Sequence, residues 1–191
     1  MNPYSQGIGM SYDHFEHRHR FSAWAASRAA SRGAKGATST VLSKALADSG
    51  VKSFLKAEKK HAAVTEESFR ALHVKWCNSA LKSLEDQKVE NIDYGRIAKL
   101  IAIYIKSMIV NGPGHTSALA DVAHPPIDSY LLKELAKRTD VKDVATKKLW
   151  RSVTWTTLKD FEYYALIDTL KSLDDAKPFW MLEKYWTELR P

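Results

Sequence analysis

The chain has 191 residues, 45% hydrophobic and 27% charged, ordinary globular proportions that exclude wholesale disorder and allow one core. A single cysteine, Cys77, excludes an intramolecular disulfide and any multi-cysteine zinc or iron–sulfur site, and fits a reducing, cytoplasmic compartment. Lys and Arg number 29 against 22 Asp and Glu, a net charge of +7; a small basic chain of this kind meets polyanions, nucleic acid first and an anionic membrane surface second.

Residues 1–12 carry Pro3, Gly7 and Gly9 and read as a loose arm, and the first ten lack the basic start and apolar block of a signal peptide. A helix is predicted over 12–32, crowded with Ala and Ser so that a neighbour can approach closely, and stopped by Gly33 and Gly36. Its Arg-, Ser- and Ala-rich stretch 18–35 has a transit-peptide flavour, but Asp13, Glu16 and the aromatics around it favour a folded helix. Thr38 or Ser39 caps a second helix that ends near 49, with Gly50 as its stop. Residues 51–60 form a short basic segment.

Thr65-Glu66-Glu67-Ser68 opens a third helix to about 84, with Leu72, Trp76, Ser79 and Leu84 on one face, and 85–91 is a polar linker. The stretch 94–111 is the most apolar helix; hydrophobic residues nearly all round it predict a central, buried position. Its run 97–110 holds Lys99 and Lys106 and is too short and too charged to cross a bilayer. Gly112-Pro113-Gly114 breaks it, and a loop or short helix runs to His124. Pro125-Pro126 precede a helix from about Asp128 with Leu131, Leu132 and Leu135 buried, and further helices fall around 141–150, 157–173 and 178–189. No run alternates as a strand does, so the chain reads as all-α. The expected architecture is a helical bundle forming one domain over 1–191, with room for two helical subdomains and a cleft between them.

Lys99 and Lys106 lie seven residues apart and share a stripe with Ala102 and Ile103. An amine against apolar surface loses hydration, which favours its neutral, nucleophilic form. The same stripe can instead face water, with the lysines snorkelling over apolar neighbours. Asp128 stands at a helix start behind two stiffening prolines, either as a plain N-cap or as a carboxylate aimed at something near Lys99.

The turn Asp93-Tyr94-Gly95-Arg96-Ile97-Ala98-Lys99, the apolar helix it enters, and Pro126-Ile127-Asp128 at a later helix start together resemble the helix-hairpin-helix DNA glycosylases. That family's hairpin is roughly Leu-Pro-Gly-x-Gly-x-Lys, and its aspartate lies in a Pro-Val-Asp segment. Gly95 matches the first hairpin glycine, Lys99 the lysine of the bifunctional members, and Asp128 the aspartate. The gap from Lys99 to Asp128 and the run from Lys99 to Lys106 are similar to the archaeal 8-oxoguanine glycosylase branch. Ile97 stands at the second hairpin glycine and no Leu-Pro precedes Gly95, which alters the backbone nest that holds a DNA phosphate. The resemblance covers about residues 92–138.

The resemblance implies a helix-hairpin-helix glycosylase-like fold and a DNA N-glycosylase, with or without strand-cleaving lyase activity. The enzyme would act as a monomer on duplex DNA carrying a damaged or modified base, without cofactor or metal, in repair or in phage defence. The target nucleotide would be flipped into a pocket between helices. Lys99 would attack the sugar's anomeric carbon, expel the base and leave a Schiff base, with Asp128 activating Lys99 and stabilising positive charge on the sugar. Gly95 and Arg96 would meet a backbone phosphate at the hairpin. A flipped base needs a flat partner; Trp180 and Trp186 are candidates by their late position and Trp24 by its basic surroundings, although tryptophans also serve as core. His124 can read a base edge or bond the loop backbone.

Arg20, Trp24 and Arg28 lie four apart on the first helix, with Arg32 extending the stripe. They can track phosphates or simply form the solvated side. Of His14, His17 and His19 only the first two share a helical face and no third ligand is near, so no metal is expected. His73 and Cys77, four apart, form a one-histidine, one-cysteine pair. The alternative functions are a non-catalytic basic helical module that binds nucleic acid, and a helical interaction protein using the alanine-rich first helix.

Overall fold

The computed structural model describes residues 12–173 and 175–186, so the arm expected over 1–12 lies almost wholly outside the described residues. Among the described residues no strand forms, and the all-α reading holds. The α-helices in chain order are α1 (His14–Ser31), α2 (Ser39–Asp48), α3 (Val51–Lys56), α4 (Glu66–Asp86), α5 (Tyr94–Ile105), α6 (Ala118–Val122), α7 (Ser129–Leu135), α8 (Val144–Ser152) and α9 (Asp160–Lys171). Tighter 3-10 turns occupy Glu58–Ala63, Trp155–Thr157 and Phe179–Tyr185, and a π-turn, Lys106–Val110, continues α5. None of these helices is long and apolar enough to cross a membrane.

Local chemistry sets the helix starts. Asp13 accepts from the Phe15 and Glu16 amides, Thr38 from Val41, Ser117 from Ala120, Asp128 from Tyr130 and Leu131, and Asp143 from Ala145 and Thr146. Thr65 and Ser68 cap each other reciprocally at α4. Small residues then set the spacing. Ser22, Ala23, Ala26, Ser27 and Ala30 are the buried face of α1, against α5 and α2. Two hydroxyl pairs stitch this packing, Ser22 to Ser107 at 2.8 Å and Ser27 to Ser43 at 2.9 Å.

Helix α5 is the central element, in contact with α1, α2, α4 and α9. All of its residues are buried except Lys99 and Ile103, which lie one turn apart. Each buried aliphatic side chain there contributes roughly 1.5–3 kcal/mol of burial. The helix ends in the π-turn, closed by the Asn111 N–H on the Lys106 carbonyl at 2.8 Å.

Three expectations shift. The buried face of α4 is Phe69, His73, Trp76, Cys77, Ala80, Ser83 and Leu84, with Leu72 and Ser79 at its margin. His73 belongs to that face because the Tyr164 hydroxyl satisfies it, a partner 91 residues away. The helix expected from 157 begins at Asp160, because the residues before it fold as a separate turn over the start of α5. The last helix, expected over 178–189, is a 3-10 turn, Phe179–Tyr185; residues 187–189 lie outside the described residues.

Candidate active site

The two residues singled out for chemistry meet. Lys99 Nζ lies 3.0 Å from Asp128 Oδ2, with the side chains 11% and 17% exposed. Asp128 divides its oxygens between two tasks. Oδ1 accepts the Tyr130 and Leu131 amides at 3.1 and 2.9 Å, which caps α7 and aims the carboxylate. Oδ2 takes Lys99 and, at 3.3 Å, the Trp186 indole N–H. On its other side Lys99 stands 4.4 Å from the centre of the Trp155 ring, within cation–π range.

Both groups line a cavity of about 320 Å³, at the small end of the ~300–1,000 Å³ range of small-molecule sites. Phe21, Ala25 and Ala29 of α1 form one wall, and Lys99, Ile103, Lys106 and Ser107 of α5 and its π-turn form another. Pro126, Asp128, Glu183 and Trp186 contribute to the remainder. A second ion pair, Lys106 Nζ to Glu183 Oε1 at 2.6 Å, sits on the same surface. Burial pushes the Glu183 carboxyl up from its ordinary range; Lys106 draws it back down, and the Asp128 charge adds to the rise.

The cavity lies beside unusual surface. Phe21 is 60% exposed, Trp24 56% and Trp186 42%, and the Phe21 and Trp24 rings lie 5.9 Å apart. Residues 21, 25 and 29 form one row along α1 and wall the cavity; Arg20, Trp24 and Arg28 form the adjacent row, and all three are exposed. Among the described residues neither Arg20 nor Arg28 has a side-chain hydrogen bond or ion pair.

Other expected site residues face inward. Arg96 is buried, and its Nη1 donates to the Ala30 and Arg32 carbonyls at 2.6 and 2.9 Å. It closes the C-terminus of α1, where carbonyls lack helical partners, and the phosphate contact expected of it is corrected accordingly. The expectation for Gly95 changes too. Its N–H donates to the Leu158 carbonyl at 2.9 Å, and a Cβ at this position would stand 2.0 Å from the Trp155 carbonyl oxygen. Glycine is required here for close packing, with the amide already taken. His124 is buried, its Nδ1 3.0 Å from the Tyr163 hydroxyl, and it does not line the cavity; the role of reading a base edge is corrected to one of packing. Trp180 is half-buried and also off the cavity, so of the three late and early tryptophans only Trp186 reaches it.

His73 and Cys77 do come together, the sulfur 3.7 Å from Nδ1, but inside a buried cluster with Tyr94, Tyr163 and Tyr164. Burial pushes the Cys77 thiol far up and His73 down to about 3, so the thiol stays protonated and the pair offers no thiolate. Among the described residues no three His, Cys, Asp or Glu gather as a metal site. Sequence reasoning missed Glu183, Phe21 and Trp155. A lone glutamate and two scattered aromatics carry no spacing signal, and only the three-residue step from Glu183 to Trp186 hinted that both face one way.

No family model, curated protein or solved structure matches the chain.

Proposed function

We propose that the chain is a DNA N-glycosylase with a lysine nucleophile, acting on a damaged or modified base flipped out of the stack. One observation carries this reading: Lys99 and Asp128 pair at 3.0 Å on the wall of a cavity bordered by exposed aromatic and basic surface. In this reading α4, α5 and the linker 87–93 are the helix-hairpin-helix pair. Asp128 accepts a proton from Lys99, and the freed amine attacks C1′ of the flipped nucleotide. The C1′–N bond breaks, its electron pair leaves with the base, and the base takes the proton that Asp128 accepted. The sugar ring opens as O4′ takes one proton from the attached nitrogen, leaving a protonated imine that joins Nζ and C1′, from which strand cleavage can follow. Trp186 and Phe21 offer flat or apolar surface to the base, while Glu183 and Lys106 offer a hydrogen-bond acceptor and donor to its edge. Arg20 and Arg28 run beside the opening, where they suit backbone phosphates.

The test is borohydride trapping. The protein is incubated with duplexes carrying oxidised purines, uracil or modified cytosines, then reduced. A covalent adduct is expected with one class, absent in Lys99→Ala and Lys99→Gln. No adduct and no released base across the panel ends this reading.

A second reading rests on the same carboxylate. Both Asp128 oxygens are already engaged, as a helix cap and as partners of Lys99 and Trp186, so the pair can be purely structural. The chain would then be a non-catalytic nucleic-acid-binding module using the α1 stripe, and salt-sensitive binding would survive Lys99→Ala with no base release.

A further inference from the structure

A second cavity, of about 500 Å³, shares no lining residue with the first, although the π-turn walls both. Lys106 and Ser107 face the Lys99 cavity, while Met108 and Ile109 face this one. Its other walls come from the start of α1, the end of α3, the Glu58–Ala63 turn and the loop that opens α6. We infer that this cavity is a binding site for a phosphate group, held by Arg18 and His61 and independent of the Lys99 site.

The donors carry the inference. His61 is 6% exposed, lines the cavity, and its Nε2 has no hydrogen-bond partner among the described residues. Arg18 Nε is likewise buried and unpartnered. A buried polar nitrogen left unpaired costs stability, and both of these belong to residues that line one cavity, where a small side-chain shift brings them to an acceptor. Among the described residues no Asp or Glu lines the cavity.

The loop leaves a lane for that guanidinium. A Cβ at Gly112 would stand 3.0 Å from Arg18 Nη1 and 2.7 Å from the Met108 carbonyl oxygen. The remaining walls are largely apolar, among them Phe15, Leu55 and Pro113, which strengthens an ion contact made inside them. Arg18, His61 and Thr116 bring a guanidinium fork, an imidazole and a hydroxyl to one cavity, a set that suits a tetrahedral oxyanion. The Ser117 hydroxyl is already committed to the Gly114 carbonyl.

The phosphate can be free or the terminal group of a nucleic acid strand, and the experiment separates these sources. Inorganic phosphate, and a short duplex with or without a 5′-phosphate, are titrated into the full chain and followed by calorimetry and amide NMR. The expected result is shifts at Gly114 and Thr116 and an affinity weakened about tenfold or more by Arg18→Gln. Ala62→Trp, at an exposed rim position, is expected to block binding without changing the melting temperature, and Lys99→Gln to leave binding intact. Binding of phosphate alone assigns a free anion; binding that needs the 5′-phosphate assigns a strand end. No binding of either probe overturns the site. So does binding of inorganic phosphate, or a gain in duplex affinity from the 5′-phosphate, that survives both Arg18→Gln and Ala62→Trp or that Lys99→Gln abolishes.

Discussion

Lys99 Nζ and Asp128 Oδ2 stand 3.0 Å apart although 29 residues separate them in the chain. The pairing exists because α5 carries the amine at one of its two unburied positions, and the cap of α7 turns the carboxylate toward it. Asp128 thereby joins a structural and a chemical task, which substitution separates. Asp128→Asn keeps a good helix cap but removes the charge that pairs with Lys99, and is expected to slow borohydride trapping sharply and to cost less stability than loss of both cap and charge. Asp128→Ala removes the cap and strands the lysine, and is expected to cost about 3 kcal/mol. Chemical denaturation beside the trapping rate distinguishes the two effects.

Gly95→Ala tests whether close packing positions the nucleophile. The added methyl group meets the Trp155 carbonyl oxygen, so the turn that holds the Trp155 ring near Lys99 must move. A loss of about 3 kcal/mol is expected, the upper range of overpacking costs, together with slower trapping. A variant as stable and active as the parent shows that the turn gives way freely.

The arginines separate into two classes. Arg20→Ala with Arg28→Ala is expected to leave melting unchanged, weaken duplex binding and shallow its salt dependence by about one unit for each phosphate no longer neutralised. Arg96→Met is expected to do the reverse. It removes charged hydrogen bonds to two carbonyls, worth roughly 1.5–3 kcal/mol each, and leaves the salt slope of binding where it was.

The buried histidines set the acid limit. Burial holds His73 down to about 3, and burial with the neighbouring His73 charge lowers His124 well below its usual range. An unfolded histidine titrates near ~6.5. Below that pH the unfolded chain takes up protons that the folded chain refuses, so stability falls as pH drops from about 6.5 toward 3. At pH 5 the loss is roughly 2 kcal/mol for His73 relative to neutral pH, and His124 adds to it in the same direction. Denaturation at pH 7.5, 6 and 5 is expected to follow this course, and His124→Phe to make the slope between the last two shallower. A flat profile across that interval contradicts the account.

Helices, their caps and the central place of 94–111 were legible in the chain, because apolar periodicity and N-cap chemistry act over a few neighbouring residues. Lys99 and Asp128 stood out for a similar reason: one is a charge in an apolar run, the other a carboxylate at a proline-led helix start. Their meeting, the cavity they line, and the arrival of Glu183 and Trp186 from the far end of the chain came only with the packed structure. Arg96 and Gly95 show why. Their immediate neighbours suggested a phosphate contact, yet the Ala30 and Leu158 carbonyls that claim them belong to segments about 60 residues away on either side. Local propensity acts within a turn of helix, whereas the partner of a side chain is chosen by whichever distant surface the core brings against it.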